Sequence, residues 1–276
     1  MLPDPGQALV WMVPLLLLAG TIAGMLAGLL GVGGGIIIVP AMFYIFGYFG
    51  VDPDVKMHLA VGTSLAIIIP TSIRSMRAHN KRGSFDAVLF RDWLLPMAGG
   101  VLLGSGLASM ATTLMLTVLF GCVALAVSAQ LALGNSDFRL SNDPPRGAIK
   151  YALAAFIGAV AAMMGIGGGS LSVPAMSLFG TPMHRAVGTS AGFGLIIAVA
   201  GTIGFVFTGW GLETLPPYSS GFVNWLAFIS IVPVTVAFVP LGAKFAHSMS
   251  QQALKRAFAV LLAITAVRML SEAAGI

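Results

Sequence analysis

The stretch Gly31-Val32-Gly33-Gly34-Gly35 interrupts an apolar part of the chain, and Gly165-Ile166-Gly167-Gly168-Gly169 repeats it in the second half. Four residues after each glycine run comes the same Val-Pro-Ala-Met sequence, at 39–42 and again at 173–176. Identical order and spacing in both copies indicate an internal duplication, which is common among secondary transporters. The glycine runs therefore predict a chain made of two related halves.

Other motifs extend the repeat. The sequence His-x-Ala-Val-Gly-Thr-Ser occurs at 58–64 and at 184–190, and the segment 83–86 aligns with 221–224. Small residues four apart occur before each glycine run, a spacing that lets helix backbones approach closely in lipid; they are Gly20, Gly24 and Gly28, then Ala154, Gly158 and Ala162. We predict an N-terminal membrane repeat over 1–134 and a C-terminal one over 148–276. The polar segment 135–147 is expected to be an exposed loop between them.

The composition is that of a membrane protein. Of the 276 residues, 58% are hydrophobic and 8% charged, whereas roughly a quarter are charged in a soluble domain. Apolar runs of about the length that crosses a bilayer recur along the chain, at 8–30, 59–75, 93–110, 113–133, 148–165, 186–208, 222–243 and 254–270. None alternates with period two, so helices are expected rather than a barrel. The net charge of +5 comes from short loops between these runs, so lipid head groups explain it better than nucleic acid does.

The distribution of charge predicts an orientation. Basic residues flank three loops and are expected in the cytoplasm; they are Arg74, Arg77, Lys81, Arg82 and Arg91, then Arg139, Arg146 and Lys150, then Lys244, Lys255 and Arg256. Placing all three loops on one side requires an odd number of crossings per half, so the second half is inverted. The short runs 36–49 and 170–179 supply the fifth piece of each half. At about 15 Å, the run 170–179 is short for a span, so a re-entrant half-helix or four spans per half stay open.

These observations predict an all-α polytopic membrane protein with two inverted repeats of about five segments each, eight to ten in total, and glycine-broken helices near the midplane. We expect it in the bacterial inner membrane with both termini periplasmic. A broken helix exposes backbone N–H groups and the positive end of a helix dipole, which together favour a bound oxyanion.

The candidate substrate-binding residues follow from this chemistry. They are the glycines of the two breaks and nearby hydroxyl residues, namely Gly33, Gly34, Gly35, Gly167, Gly168, Gly169, Ser170, Thr63, Ser64, Thr189 and Ser190. Hydroxyls would complete the hydrogen-bond shell of an anion that has lost its water. Two other interpretations stay open: the glycines permit a close helix crossing, and the Thr-Ser pairs bond to carbonyls of their own helices.

Three further pairs of residues are candidates for supporting roles. Pro40 and Pro174 are expected to break or kink the short helices. His58 and His184 occupy equivalent positions and are candidates for proton coupling or gating, with capping of a helix end as the alternative. Arg74 and Arg77 are candidates for drawing an anion to the cytoplasmic mouth, with contact to lipid head groups as the alternative.

The two motifs, Gly-x-Gly-Gly-Gly-x4-Pro and Ala-Val-Gly-Thr-Ser, each present in both halves, resemble the sulfite exporter TauE/SafE family over nearly the whole chain. The resemblance implies transport of a sulfur-containing anion such as sulfite, a sulfonate or sulfoacetate, without an ATPase domain. We therefore expect a secondary transporter, with a passive anion channel or an accessory membrane subunit as alternatives.

The remaining expectations concern chemistry and partners. No HExxH motif, Ser-His-Asp set in apolar context or Cys/His cluster occurs in the sequence, so neither an enzyme nor a metal or cofactor is expected. The expected partners are a small anionic substrate and the lipid bilayer. Whether the chain forms a homo-oligomer is left open by the sequence.

Overall fold

The chain is almost entirely helical. The computed structural model describes residues 5–30, 34–81, 83–133, 147–248 and 251–275. Within those residues the chain folds into ten α-helices and one two-stranded β-hairpin. Five of the described helices are long and apolar enough to cross a membrane. The prediction of an all-α polytopic membrane protein is confirmed.

The helices divide evenly between the two predicted halves. The first half contains α1 (Pro5–Leu30), α2 (Gly35–Tyr48), α3 (Lys56–Lys81), α4 (Ala87–Met110) and α5 (Thr113–Leu133). The second contains α6 (Gly147–Met164), α7 (Gly169–Leu178), α8 (Met183–Thr208), α9 (Trp225–Ser248) and α10 (Gln251–Ala274). Strands β1 (Ser219–Ser220) and β2 (Val223–Asn224) form the hairpin between α8 and α9.

The two short apolar runs form separate helices, as the sequence predicted. Helix α2 has 14 residues and α7 has 10. At 1.5 Å per residue these helices rise about 21 and 15 Å, which is less than the ~30 Å hydrocarbon core of a bilayer. Each helix is therefore shorter than that core, and whether it spans together with the glycine break before it or re-enters stays open.

Helices of one half pack mainly on helices of the other. Helix α1 packs on α9 and α6 packs on α4, while α3 packs on α8 and α5 on α10. Exchanging each helix for its counterpart in the other half leaves this set of pairs unchanged. The contacts therefore have the symmetry expected of two related halves, and their inversion stays a prediction.

The predicted stripes of small residues lie at close helix crossings. A Cβ atom at Gly24 on α1 would lie 2.6 Å from the carbonyl oxygen of Thr235 on α9. The Thr235 hydroxyl in turn donates a 3.1 Å hydrogen bond to the carbonyl oxygen of Gly20. On α6, a Cβ atom at Gly158 would collide with the carbonyl oxygen of Met97 on α4. Close backbone approach at Gly20, Gly24 and Gly158 is thus confirmed.

Adjacent glycines on α4 provide a test of this packing. A Cβ atom at Gly100 would collide with the backbone of Ala155, whereas nothing lies within 4 Å of one at Gly99. We expect Gly100→Ala to lower the free energy of unfolding by about 1–3 kcal/mol. Gly99→Ala should leave it unchanged or raise it by up to about 1 kcal/mol through helix propensity. The measurement is denaturation in detergent micelles, and equal stabilities of the two variants would contradict the proposed crossing.

Candidate functional site

Two glycine-rich breaks lie against each other in the core. Helix α7 begins at Gly169 after a break that starts at Gly165, whose φ of 66° is a left-handed conformation that suits glycine. The first break is described from Gly34, whose φ is 76°; the predicted site residue Gly33 lies outside the described residues. A Cβ atom at Gly35 would lie 2.6 Å from the carbonyl oxygen of Gly165. The two breaks are therefore in backbone contact.

The break before α7 carries backbone amides that have no acceptor. The Ser172 amide donates a 2.9 Å hydrogen bond to the carbonyl oxygen of Gly168, but the amides of residues 167–171 bond to no acceptor in the described part of the chain. Residues 167–170 are buried, and the Ser170 hydroxyl donates to the carbonyl oxygen of Gly167 at 3.3 Å. A buried cluster of donors without acceptors is the arrangement that favours an anion at a helix start.

The break before α2 is described from Gly34 onward. Both Ile37 and Ile38 donate their amides to the carbonyl oxygen of Gly34, at 3.0 and 3.1 Å. The amides of Gly34, Gly35 and Ile36 have no acceptor among the described residues. The described part of this break therefore differs from the other at Ile37, whose amide is bonded, whereas the amide of its counterpart Leu171 is not.

The predicted threonine ligands hold the halves together. The Thr63 hydroxyl accepts a 2.9 Å hydrogen bond from the amide of Asn224, at the start of α9. The Thr189 hydroxyl accepts a 3.0 Å bond from the amide of Asp86, at the start of α4. Each threonine thus joins a helix of its own half to a helix start in the other, by equivalent bonds at equivalent repeat positions.

The predicted serine ligands are also hydrogen-bonded, but not equivalently. The Ser64 hydroxyl donates a 2.8 Å bond across the halves to the carbonyl oxygen of Gly165. The Ser190 hydroxyl donates at 2.8 Å to the carbonyl oxygen of Val187 in its own helix, which is the alternative left open for the Thr-Ser pairs. In this conformation both hydroxyls serve the fold, and Ser64 fixes the second break.

His58 caps a helix end. Its Nε2 atom lies 2.9 Å from the carbonyl oxygen of Ala108 and 3.1 Å from that of Ala111, at the end of α4. Its ring stacks on Phe222 with centroids 5.0 Å apart. These contacts favour the capping interpretation for His58. The side chain of His184 lies outside what the structure describes, so its predicted role stays a prediction.

The prolines lie inside the short helices, whereas the interruptions themselves fall at the glycines. Helix α2 continues through Pro40 and α7 through Pro174. A proline supplies no N–H group to the helical ladder, so each one loosens the turn that precedes it. Their position leaves the start of each short helix to the glycines.

Arg74 and Arg77 line a cavity beside α3. Its volume is about 500 Å³, within the range of small-molecule sites. Apolar and basic side chains from α3 and α9 form its wall, namely Pro70, Ile73, Arg74, Arg77, Lys81 and Val236. None of the three basic residues is paired with a carboxylate within the described residues. The cavity therefore carries uncompensated positive charge at the end of α3 that is predicted to be cytoplasmic.

Residues 16–269 match the family described as sulfite exporter TauE/SafE, and so nearly all of the helical bundle falls within the match. The chain belongs to this family. The TauE/SafE match spans both glycine breaks and both copies of the Ala-Val-Gly-Thr-Ser motif. The resemblance inferred from those motifs is confirmed.

Similar proteins match most of the length of this TauE/SafE chain. A probable membrane transporter protein of Haemophilus influenzae is 29% identical over 92% of this chain and 97% of the relative. The probable membrane transporter protein YunE of Bacillus subtilis is 27% identical, covering 94% and 97%. A probable membrane transporter protein of Methanocaldococcus jannaschii is 25% identical, covering 94% and 96%. No solved structure matches the chain.

Sequence reasoning missed two polar side chains near the second break. Ser72 on α3 and Trp93 on α4 are 3% and 1% exposed, and neither the Ser72 hydroxyl nor Trp93 Nε1 has a hydrogen-bond partner among the described residues. Both belong to apolar runs of this TauE/SafE protein, where a polar atom needs a partner. Ser72 could have been noticed as a hydroxyl inside a span, but its lack of a partner is visible only in three dimensions.

The unequal serines give a matched pair of variants. Ser64→Ala would leave the buried carbonyl oxygen of Gly165 without its donor, so we expect a loss of about 1–3 kcal/mol in the free energy of unfolding. Ser190→Ala removes a bond within one helix turn and should cost less than about 0.5 kcal/mol. Unfolding in detergent measures both, and a loss for Ser190→Ala as large as that for Ser64→Ala would refute the cross-half role of Ser64.

Proposed function

We propose that this protein is a secondary transporter that moves a small sulfur-containing anion, of the sulfite, sulfonate or sulfoacetate class, across the bacterial inner membrane. The anion binds between the two glycine breaks, held by backbone N–H groups with hydroxyls nearby. Membership in the sulfite exporter TauE/SafE family supports the substrate class, and the names of the relatives support transport rather than catalysis.

One observation carries the proposal. The amides of residues 167–171 find no acceptor in the described chain, and residues 167–170 are buried. Each buried amide without a partner costs about 1–3 kcal/mol, and an oxyanion that accepts hydrogen bonds from these amides would remove that cost. A sulfite or sulfonate group offers three acceptor oxygens and no donor that would repel these amides.

The four threonine and serine residues predicted as ligands are not available to an anion in the conformation described. Thr63, Thr189, Ser64 and Ser190 are engaged in the conformation described. These hydroxyls could bind an anion only after their present hydrogen bonds break. We propose that this happens when the two halves move relative to each other during transport. The bonds of Thr63 and Thr189 cross between the halves, so such an exchange would couple occupancy of the site to movement.

Membrane placement follows the charge pattern. We place the loops that follow α3 and α5 in the cytoplasm, and both termini in the periplasm. The basic cavity formed by Arg74, Arg77 and Lys81 then opens toward the cytoplasm and raises the local concentration of anions. Labelling of a cysteine placed at Gly83, in the loop after α3, with a reagent that does not cross the membrane checks this placement. We expect labelling from the cytoplasmic side.

Transport is tested in proteoliposomes loaded with protein of known orientation. Uptake and efflux of isotopically labelled sulfite, sulfoacetate, thiosulfate and a simple alkanesulfonate are measured, with and without a proton gradient. We expect flux of at least one sulfur anion that saturates with concentration. Flux proportional to concentration at all levels would favour the passive channel, and no flux for any of these anions would refute transport of this class.

Gly168→Val is the variant that addresses the break. A Cβ atom at Gly168 would lie 2.6 Å from the Gly194 amide, so the larger side chain would displace the amides from their positions. We expect the rate to fall about 10-fold or more. Gly106→Val on α4 is the control, because nothing lies within 4 Å of its Cβ position. Gel filtration and unfolding in detergent verify that both variants fold, and normal flux through folded Gly168→Val protein would contradict the site.

The basic cavity makes a separate prediction. Replacing both Arg74 and Arg77 with Gln should lower the initial rate from the cytoplasmic side about 3- to 10-fold at low ionic strength. The difference should shrink at high salt, because exposed charges are screened there. Arg91→Gln on α4 serves as the control, since Arg91 does not line the cavity. A reduction that is independent of salt would argue against electrostatic attraction.

A further inference from the structure

The duplication lets each residue of α3 be compared with its counterpart in α8. The shared motif aligns Thr63 with Thr189. Continuing without a gap pairs Ile68 with Gly194 and Ser72 with Ala198. Ile68 lies beside the first break, and Gly194 and Ser72 lie beside the second, so the pairs compare the residues that the two halves have at equivalent positions.

The break before α2 is closed by an aliphatic side chain. A Cβ atom at Gly35 would lie 2.8 Å from Cδ1 of Ile68 and 3.0 Å from the α-carbon of Ile166. The counterpart of the Ser72 hydroxyl on this side is the methyl group of Ala198. Side chains around this break therefore offer an anion no hydrogen bond from either of those positions.

The break before α7 has no side chain at the position that Ile68 occupies beside the other break. Gly194 stands in place of the isoleucine, and a Cβ atom there would lie 2.9 Å from the Ser72 hydroxyl oxygen and 3.3 Å from the Gly168 amide nitrogen. The hydroxyl and the amide thus border the same small space next to Gly194. A side chain larger than hydrogen at this position would fill that space.

The Ser72 hydroxyl is unusual among the buried hydroxyls of this bundle. Others bond to carbonyls one turn back in their own helices, namely those of Thr71, Ser105, Thr117, Thr202 and Thr235. Ser72 is 3% exposed and its hydroxyl has no partner in the described chain, but the hydroxyl oxygen itself is not fully buried. The hydroxyl is therefore available to donate a hydrogen bond to a ligand that supplies an acceptor.

Trp93 on α4 carries a second buried donor without a partner in the described residues, its Nε1 atom. Trp93 stacks on Phe193, the residue before Gly194, with ring centroids 5.4 Å apart. The alignment of 83–86 with 221–224 pairs Trp93 with Ile231, and the alignment of α3 with α8 pairs Ile67 with Phe193. The repeat therefore has aliphatic side chains at the positions that correspond to Trp93 and Phe193.

We propose that the transporter has one asymmetric anion site, at the break before α7, in which Ser72 is the side-chain ligand and Gly194 leaves the Ser72 hydroxyl and the Gly168 amide uncovered by a side chain. The break before α2 is a packing element closed by Ile68. The ligand is a compact oxyanion whose oxygens accept from the α7 amides and from the Ser72 hydroxyl across the two halves. This inference rests on the proposed function and names the residues that carry it.

The test compares two mirrored variants, Ser72→Ala and Ala198→Ser. Each is measured for saturable uptake of sulfite and an alkanesulfonate in proteoliposomes, and for the rise in unfolding temperature that the same anions cause in detergent. Loss of a hydrogen bond to a charged ligand should weaken anion affinity about 10- to 100-fold in Ser72→Ala. Ala198→Ser should stay within about 2-fold of the original protein.

A structural role for Ser72 makes a different prediction. Without ligand, Ser72→Ala should unfold at about the same temperature as the original protein or higher, because it removes a hydroxyl that has no partner among the described residues. The anion-induced rise in that temperature should shrink, since it follows ligand affinity. A lower unfolding temperature without ligand, combined with an unchanged rise, would show Ser72 to be structural and overturn the inference.

The possible results distinguish failure of the asymmetric site from failure of the proposed transport function. If the original protein neither transports nor is stabilised by any of the anions, the proposed function fails and the site fails with it. If the original protein responds and the two mirrored variants behave alike, transport stands and the asymmetric site is refuted. A response lost in Ser72→Ala and kept in Ala198→Ser is the result we expect.

Discussion

Buried backbone amides without acceptors are the constraint on which the site depends. At the break before α7 a glycine run interrupts the helical ladder, so the amides of residues 167–171 have no acceptor among the described residues. Lipid offers no replacement partner, and irregular backbone at membrane depth is tolerated where it is buried in protein or lines a cavity. The same feature that weakens the fold locally would provide the donors for the anion that we propose.

The surrounding bundle tolerates this break because the halves hold each other at equivalent points. Helix α1 packs on α9 and α6 on α4, with glycines allowing backbone contact at the crossings. Thr63 and Thr189 bind the helix starts at Asn224 and Asp86 by matching hydrogen bonds. These contacts cross between the halves, so a rearrangement of one half relative to the other would change the environment of both breaks together.

Symmetry of the backbone does not extend to the chemistry beside the breaks. The cavity residues Arg74, Arg77 and Lys81 are paired by the repeat with Ala200, Ile203 and Phe207, so the basic cavity of α3 has no basic counterpart on α8. Ser72 likewise is paired with an apolar residue, Ala198. Polar and charged groups thus occur on the second half of α3 at positions where α8 has apolar residues. A single path for the anion is consistent with that distribution.

Much of the architecture could be predicted because it depends on local patterns. The apolar runs, the two short helices and the close crossings at Gly20, Gly24 and Gly158 follow from length, composition and the spacing of small residues, which act within a helix or between neighbours. The positions of the hydroxyl residues predicted the site less well than the apolar runs predicted the helices. A threonine in a span needs a partner, but the sequence does not say whether that partner is a ligand, its own helix or the other half.

The sequence by itself determined that this is a duplicated helical membrane protein with two glycine breaks. These properties follow from the length of the apolar runs and from motifs that occur in both halves. Only the tertiary structure decided which polar groups remain without partners. Thr63, Ser64 and Thr189 are engaged by residues from the opposite half, and Ser72 is not. The physical reason is that a hydrogen bond between distant segments depends on how helices are placed against each other, which local sequence does not encode.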